Sequence, residues 1–327
     1  MNKSVFVTGG AGYIGSHACK ELYRSGYQPI AVDNLIYGHK WAVKWGPLEQ
    51  CDIQNSEQLD SLFQKYSPIA VIHFAASSHV AESVSDPGQY YTNNVAGTIN
   101  LLESMRRNGC RNFVFSSSCS TYGKPDQVPI REDHPRKPIS PYGTSKLMVE
   151  QILADYHMAY DFNYIALRYF NAAGADPEGE IGEAHDPETH LVPLTIFTAL
   201  GRRKEISVFG TDYETPDGSA VRDYTHVMDI SSAHISSLEH LRQGKESGEI
   251  NLGTGRGYSV LEIIQAVEEI SGKKLPVIYG DRRPGDPATL VAYSDKARKV
   301  LNWNPQYSSL QSIISTAWAW HTRDETK

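Results

Sequence analysis

The sequence predicts an α/β fold with a doubly wound parallel sheet and a second, smaller α/β domain towards the C-terminus. Three observations lead to this prediction. Short β-branched segments alternate with longer amphipathic segments through the first half of the chain, as is typical of right-handed βαβ units. A glycine-rich turn follows the first of these segments. The length of 327 residues corresponds to roughly two domains at about 150 residues each.

The first half of the chain is predicted to contain five long strands and four helices. The strands are Ser4–Thr8, Pro29–Asp33, Ile69–Phe74, Asn112–Ser117 and Asn163–Arg168, and the helices are Tyr13–Ser25, Ser56–Tyr66, Gln89–Arg107 and Pro141–Tyr160. A further short strand is expected to end at Cys51, Asp52 and Ile53. Parallel strands align their carboxyl ends at one edge of the sheet, so ligands are expected there.

The composition of the sequence changes after about residue 170. Two long stretches rich in Gly, Pro and Asp are interpreted as loops, and the segments Gly257–Ser271 and Ser308–His321 are amphipathic again. We therefore expect a first domain of the Rossmann type over residues 1–170 plus about 225–256. A smaller substrate-binding domain is expected over about 171–224 plus 257–327.

Composition excludes several classes of protein. The 31 Lys and Arg residues against 38 Asp and Glu residues give a net charge of −7, which argues against a nucleic-acid partner. No apolar run approaches the ~20 residues needed to span a bilayer, so a cytoplasmic protein without a membrane partner is expected. The four cysteines, Cys19, Cys51, Cys110 and Cys119, have no metal-ligand spacing. Buried free thiols and no metal are expected.

A glycine-rich segment, TGGAGYIGSH at residues 8–17, is the first candidate site. Gly9, Gly12 and Gly15 lie between a predicted strand and a predicted helix, whose N-terminal amides attract a pyrophosphate. Asp33 ends the next strand, 18 residues after Gly15, where a carboxylate binds a ribose and repels a 2′-phosphate. The pattern favours NAD over NADP. The alternative is a structural turn in which Asp33 caps the following loop.

A second candidate site begins at the helix that Pro141 opens. Ser140 is a suitable N-cap, and Tyr142 and Lys146 are then i and i+4 on one helix face. An ammonium group near a phenol is expected to lower the phenol pKa from about 10, which allows proton exchange with an alcohol. The preceding strand ends in three serines, of which Ser118 can orient the same oxygen.

These motifs occur together with others in one order along nearly the whole chain. The further segments are VDN at 32–34, HFAA at 73–76, YYTNNVAGT at 90–98, SSSCSTYG at 116–123, SPYGTSKLMVEQIL at 140–153, RYFNAAG at 168–174, GTDYETPDGSAVRDYTHVMD at 210–229 and RRPGD at 282–286. With them the chain resembles the extended short-chain dehydrogenases, and among these the UDP-glucose 4-epimerase family.

The resemblance implies an NAD-dependent isomerase that epimerises a UDP-sugar at C4 by transient oxidation and return of hydride to the opposite face. It implies Ser118, Tyr142 and Lys146 as catalytic residues, and commonly a homodimer formed through the helices Gln89–Arg107 and Tyr142–Tyr160. The implied cofactor-binding residues, besides Tyr142 and Lys146, are Gly9, Gly12, Tyr13, Ile14, Gly15, Asp33, Asn34, Asp52, Ile53, Phe74, Ala75, Ala76, Asn93 and Phe170. The implied substrate-binding residues, besides Ser118, are Asn171, His190, Leu191, Phe209, Arg222, Tyr224, Arg283, Asp286 and Leu290.

Several alternatives stay open at this point. His190 stands where many relatives have asparagine, and Ser78 where some have lysine. Leu290 suggests limited room for an N-acetyl group. UDP-xylose, UDP-arabinose and UDP-N-acetylhexosamines are alternative substrates. A 4,6-dehydratase is disfavoured because no carboxylate stands beside Ser118, and a non-catalytic NAD-binding protein is expected to lack Tyr142 or Lys146. Guanidinium groups suit a diphosphate, but Arg222 and Arg283 can also form surface ion pairs with Asp223 or Asp286.

Overall fold

The computed structural model describes residues 3–283 and 285–323. Its centre is a parallel sheet of seven strands in the order β11-β6-β5-β4-β1-β2-β3. These strands are β1 (Ser4–Thr8), β2 (Gln28–Asp33), β3 (Leu48–Gln50), β4 (Ala70–His73), β5 (Asn112–Ser118), β6 (Asn163–Tyr169) and β11 (Gly248–Leu252). The predicted doubly wound parallel sheet is confirmed.

Helices cover both faces of this sheet. Over the whole described chain they are α1 (Tyr13–Arg24), α2 (Ser56–Tyr66), α3 (Val80–Ser85), α4 (Pro87–Tyr90), α5 (Gly97–Arg107), α6 (Pro141–Tyr160), α7 (Leu191–Ala199), α8 (Val227–Arg242), α9 (Val260–Ser271), α10 (Asp295–Leu301) and α11 (Leu310–Thr322). Leu22 of α1 and Leu238 of α8 are buried on one face. Leu59 of α2, Leu101 of α5 and Val149 of α6 are buried on the other.

The predicted helix over Gln89–Arg107 is interrupted. A π-helical turn, Tyr91–Ala96, separates α4 from α5. The Asn94 side chain lies buried in this turn, where it accepts a hydrogen bond from the Ser77 amide at 2.8 Å and donates one to the Ser145 hydroxyl at 3.1 Å. The turn therefore joins the loop after β4 to α6. Such bulges are frequent at functional sites.

Short strands and a third apolar cluster form the rest of the described chain. The strands are β7 (Asn171–Ala173), β8 (Ile206–Phe209), β9 (Val221–Arg222), β10 (Tyr224–His226), β12 (Tyr258–Ser259), β13 (Val277–Gly280) and β14 (Thr289–Leu290). Side chains of α7, α9 and α11 pack together away from the central sheet, whereas Ala297 and Leu301 of α10 pack on it. The domain boundaries stay a prediction.

Two further predictions concern buried and apolar segments. All four cysteines are free and buried, as expected. No helix within residues 3–283 and 285–323 is long and apolar enough to span a membrane.

Candidate active site

The glycine-rich turn lies between β1 and α1. Gly9 has a φ of +73°, a conformation that disfavours side chains. A Cβ on Gly15 would lie 2.1 Å from the Gly9 carbonyl oxygen, whereas one on Gly12 would lie 3.3 Å from it. Gly12 is the N-cap of α1, so the turn brings bare backbone to the N-terminus of a buried helix. This is the geometry that accommodates a pyrophosphate.

Asp33 lies beside this turn at the end of β2. Its two carboxylate oxygens accept hydrogen bonds from the Ala11 amide at 3.0 Å and the Leu35 amide at 2.8 Å. Burial raises the pKa of Asp33, and the two amide hydrogen bonds oppose that rise. The carboxylate therefore caps the following loop and is at the same time held against the glycine turn.

The other predicted cofactor residues lie mainly around the same strand ends. Asn34 donates a hydrogen bond to Asp52 at 2.9 Å, and the Ile53 carbonyl accepts one from Asn100 at 2.6 Å. The remaining members follow the strands or begin the helices: Tyr13 and Ile14 in the first turn of α1, Phe74, Ala75 and Ala76 after β4, Asn93 in the π-helical turn, and Phe170 after β6. Backbone atoms of Phe74 and Ala75 lie directly against Gly9.

Tyr142 and Lys146 lie in the first turns of α6. The Ser140 hydroxyl accepts a hydrogen bond from the Gly143 amide at 3.2 Å, and Pro141 is the first helical residue, so the predicted helix start is confirmed. The Lys146 ammonium donates to the Ser116 carbonyl at 2.9 Å and lies 5.8 Å from the centroid of the Tyr142 ring.

Burial dominates the electrostatics of this pair. It raises the pKa of Tyr142 to about 12, although the hydrogen bond with Ser118 opposes the rise. It also lowers the pKa of Lys146 to about 7, against an upward effect of Glu150. The predicted lowering of the phenol pKa by Lys146 is therefore wrong for the chain by itself. Removal from water disfavours the charged forms of both groups.

Ser118 ends β5 at the same edge of the sheet. Its hydroxyl accepts a hydrogen bond from the Ser120 amide at 3.1 Å and so caps the turn Cys119–Thr121. The side chain is buried, 6% exposed, and faces the phenol of Tyr142. The structure therefore brings together the serine, tyrosine and lysine that the sequence singled out.

The two predicted substrate arginines share one carboxylate. Arg222 in β9 and Arg283 both form ion pairs with Asp286, the second at 2.9 Å. The side chain of Arg222 is 12% exposed and that of Arg283 is 64% exposed. The ion-pair alternative for these arginines is thus present in the structure with Asp286, and not with Asp223. Asp223 instead accepts hydrogen bonds from the amides of Thr254 and Gly255 at 2.9 and 3.0 Å.

Leu290 connects this segment to the catalytic strand. It pairs with Arg222 between β14 and β9 and packs against a buried cluster that includes Cys119 and Phe170. Its side chain thus lies beside the residues that follow β5 and β6.

The other predicted substrate residues are more dispersed. Asn171 begins β7 and pairs with Tyr224, whose pKa is raised to about 12 by burial. Phe209 is 43% exposed and lies under the Arg283 guanidinium at 5.4 Å. His190 is the N-cap residue of α7, which begins at Leu191. The two carboxylates that contact His190, Glu183 and Glu188, raise its pKa well above the usual range.

The match to known proteins covers most of this architecture. Residues 5–253 match the model of the NAD dependent epimerase/dehydratase family. The UDP-glucose 4-epimerase of Rhizobium meliloti (strain 1021) is 51% identical over 323 residues, which are 99% of this chain and 98% of the relative. The chain belongs to this family.

Solved structures of the family agree closely in fold. The UDP-glucose 4-epimerase of Brucella ovis in complex with NAD aligns with a TM-score of 0.95 and 50% identity, over 97% of this chain and 98% of that one. The enzyme of Stenotrophomonas maltophila, with bound NAD and formylated UDP-arabinopyranose, aligns with a TM-score of 0.94 and 40% identity over 98% of each chain.

A buried ion pair beneath the family's catalytic helix was missed by the sequence reasoning. Glu150 accepts hydrogen bonds from the Arg168 guanidinium at 2.8 and 2.7 Å and from the Ser117 hydroxyl at 2.6 Å. Glu150 is four residues after Lys146, so helical spacing was the available signal. Its charge favours the ammonium form of Lys146 and makes Glu150 a positioning residue for the site.

Proposed function

We propose that the protein interconverts UDP-glucose and UDP-galactose by NAD-dependent epimerisation at C4 of the sugar. One observation carries this proposal: Ser118, Tyr142 and Lys146 lie close together, at the same edge of the sheet as the glycine turn. Family membership and the UDP-glucose 4-epimerase relatives support the same activity.

The glycine turn and Asp33 fit an NAD cofactor. At Gly15 there is no room for a Cβ, so bare backbone lines the turn. The N-terminus of the helix at this turn suits a pyrophosphate. Asp33 is buried and held by two amides, so its carboxylate is preoriented for a ribose diol and would repel a 2′-phosphate. Bound NAD⁺ supplies the hydride acceptor for the oxidation at C4.

Tyr142 is the proposed proton acceptor for the sugar 4-hydroxyl, and Ser118 is its hydrogen-bonding partner. A phenol with a pKa of about 12 is a poor base at neutral pH, so this pKa must fall when the site fills. The ammonium form of Lys146 stabilises the phenolate. A pKa of about 7 leaves Lys146 partly neutral in the chain by itself, and a phenolate on Tyr142 would favour its charged form.

Arg222 and Arg283 are the proposed partners of the UDP diphosphate. In the structure both guanidinium groups pair with Asp286, and a diphosphate offers them similar oxygen pairs. When no substrate is bound, Asp286 holds the two guanidinium groups in place. The mostly buried position of Arg222 makes it the stronger of the two contacts, because charge interactions strengthen away from water.

A direct assay tests the activity. Protein purified without added NAD is expected to convert UDP-galactose to UDP-glucose, because the cofactor ends each cycle as NAD⁺ and stays bound. Turnover of UDP-xylose or UDP-N-acetylgalactosamine without any turnover of UDP-galactose would overturn the hexose assignment and keep the 4-epimerase class. Absence of turnover with all three would overturn the proposal itself.

We propose a homodimer through α5 and α6 as well. Exposed apolar side chains lie on these helices, including Ile99 at 38%, Met148 at 38% and Met158 at 83%, and clustered exposed apolar residues mark contact surfaces. Light scattering after gel filtration tests the dimer. A cytoplasmic location is proposed from the four buried free thiols alone.

A further inference from the structure

Four potential metal ligands lie together in the loop between β7 and α7. They are Glu183, His185, Glu188 and His190, and one ligand atom of each lies within 4.8 Å of all the others. We propose that this cluster binds a divalent transition metal ion, with Zn²⁺ as the best fit. Two imidazoles and two carboxylates form a ligand set of the kind that Zn²⁺ accepts. None of the four residues is a cysteine, so the cysteine spacing gave no signal for this cluster.

The spacing of the ligand atoms supports four-coordinate binding. The Glu183 Oε1 atom lies 3.1 Å from His185 Nδ1 and 2.8 Å from His190 Nδ1. Glu188 lies 2.9 Å from His190 Nδ1 through Oε1 and 3.9 Å from His185 Nδ1 through Oε2. Bond lengths near 2.0–2.2 Å in a tetrahedral zinc site separate its ligand atoms by about 3.3–3.6 Å. The three shorter contacts are hydrogen-bond distances, so these atoms would move apart when an ion enters, and the longer one involves the second oxygen of Glu188.

An unsatisfied oxygen points to a missing partner. Glu188 Oε2 is buried and has no hydrogen-bond donor, and the Glu188 side chain is only 5% exposed. Its nearest ion-pair atom, His185 Nδ1 at 3.9 Å, is too far to donate a hydrogen bond. A buried carboxylate oxygen without a partner is costly. A metal ion within the cluster would satisfy it.

A second acidic group shows what a satisfied cluster looks like here. Asp176, Glu178 and Glu180 also converge, but the Lys20 ammonium lies among them at 2.7, 2.9 and 2.6 Å. That group already holds a cation. Among the described residues, the ion pairs of Glu183 and Glu188 involve only His185 and His190. The two carboxylates raise the pKa of His190, so a metal ion would displace the proton of this imidazole when it binds, since only the neutral ring is a metal ligand.

The position of the cluster indicates a structural role for the ion. The Glu183 carbonyl accepts a hydrogen bond from Trp320 in α11 at 2.8 Å, and the His185 ring lies 6.1 Å from the ring of Tyr13, next to the glycine turn. His190 precedes α7 directly. An ion bound here would cross-link the loop that runs from the neighbourhood of the glycine turn to the start of α7. It contributes no step to the epimerisation.

Metal analysis of the full chain, purified without a histidine tag, tests this proposal. After zinc loading and removal of excess metal we expect about one Zn²⁺ per chain, and Co²⁺ in its place should show the intense visible bands of four-coordination. Zinc at ~100 times its dissociation constant should raise the melting temperature by about 5 °C. A protein that retains no zinc, or whose Co²⁺ spectrum is that of a six-coordinate ion, would overturn the proposal.

Variants show whether the metal binds at this cluster. His185→Gln and Glu188→Gln are expected to lose the retained zinc and the melting shift, and Glu188→Gln is nearly isosteric, so its fold should survive. Glu178→Gln is the matched control, since Lys20 occupies the other acidic group, and it should keep both signals. Retention of zinc by both His185→Gln and Glu188→Gln, or its loss in Glu178→Gln, would place the metal elsewhere and refute the cluster.

Discussion

The catalytic edge and the substrate segment hold their charged groups in different ways. Tyr142 and Lys146 are buried and positioned by the first turns of one helix and by the end of a neighbouring strand. Arg222 and Arg283 come from a short strand and a loop and are held by one shared carboxylate. The first arrangement depends on backbone geometry, while the second depends on an ion pair that a ligand can replace.

The two arrangements suit different tasks. Around Tyr142 and Lys146, burial shifts both pKa values towards the neutral forms, so Tyr142 is protonated and Lys146 only partly charged near neutral pH. In the substrate segment the arginines remain charged and partly exposed. They can exchange Asp286 for a diphosphate without loss of pairing. In the proposed function, the first region supplies the proton acceptor and the second binds the diphosphate.

The largest effect is expected from Tyr142→Phe. Removal of the phenol oxygen eliminates the proton acceptor, so kcat should fall by at least ~10³-fold, within the range for general base catalysis, while bound NAD is retained. Steady-state kinetics and cofactor extraction measure the two effects. Tyr164→Phe, at a buried tyrosine whose hydroxyl contacts Glu249 at 3.3 Å, is the control and should stay active. Near-normal turnover of Tyr142→Phe would remove this residue from the mechanism.

A matched glycine pair tests the backbone on the cofactor side. Gly15→Ala places a Cβ 2.1 Å from the Gly9 carbonyl oxygen, whereas Gly12→Ala places one at 3.3 Å. We expect Gly15→Ala to weaken NAD binding by about 10²-fold, equivalent to ~2.7 kcal/mol, because the turn must open. Gly12→Ala should cost about tenfold or less. Quenching of the protein's tryptophan fluorescence by added NAD measures both affinities. Equal losses of NAD affinity in the two variants would contradict the steric crowding assigned to Gly15.

The arginines should differ in their effect on KM. Arg222→Gln is expected to raise KM for UDP-galactose by about 10–100-fold, since a charge-assisted contact in a mostly buried place is lost. Arg283→Gln should raise it by only about threefold, because exposed charges are screened. In both variants kcat should change little. A larger effect from Arg283, or a collapse of kcat with unchanged KM, would reverse the proposed division of labour.

A change of pH is expected to act on the stability of the fold. Burial lowers the pKa of His17 to about 4, of His73 to about 3 and of His234 to about 4, all on the central-sheet side. The unfolded chain takes up protons on these residues below pH 6.5, so their stabilising contribution is present above that pH and is lost as pH falls towards 4 and 3. At pH 5.5 the loss is about 1 kcal/mol for each histidine.

Urea unfolding at pH 7.5 and 5.5 measures this loss. His190 acts with the opposite sign, because its raised pKa gives a contribution that is present below pH 6.5 and lost as pH rises through the folded-state value. His73→Gln, which removes one titrating group that contacts Thr8 at 2.6 Å and Thr98 at 2.9 Å, should reduce the pH dependence. Stability that is constant or rises on acidification would contradict the assignment.

The features that the sequence predicts depend on contacts between residues that are close together in the chain. The i, i+4 relation of Tyr142 and Lys146, the cap at Ser140 and the glycine turn all lie within a few residues of one another, so helix geometry and steric limits decide them locally. Five strands were equally visible because most of their residues are apolar and buried. The short strand expected to end at Cys51, Asp52 and Ile53 is instead β3, Leu48–Gln50, which is not buried, and β11 was not predicted. The interrupted helix around Asn94 was missed, since its cause is contacts with Ser77 and Ser145.

The sequence by itself thus determined the α/β class and the glycine turn between its first strand and helix, and it singled out Ser118, Tyr142 and Lys146 as the proposed catalytic residues. Only the tertiary structure decided the electrostatics, because desolvation depends on how much of the molecule surrounds Tyr142 and Lys146. It also decided that Arg222 and Arg283 share Asp286, across 64 positions of chain in the first case. The cluster around Glu188 depends on both the sequence and the tertiary structure. Its residues are close in sequence, and the folded loop brings their side-chain N and O atoms together.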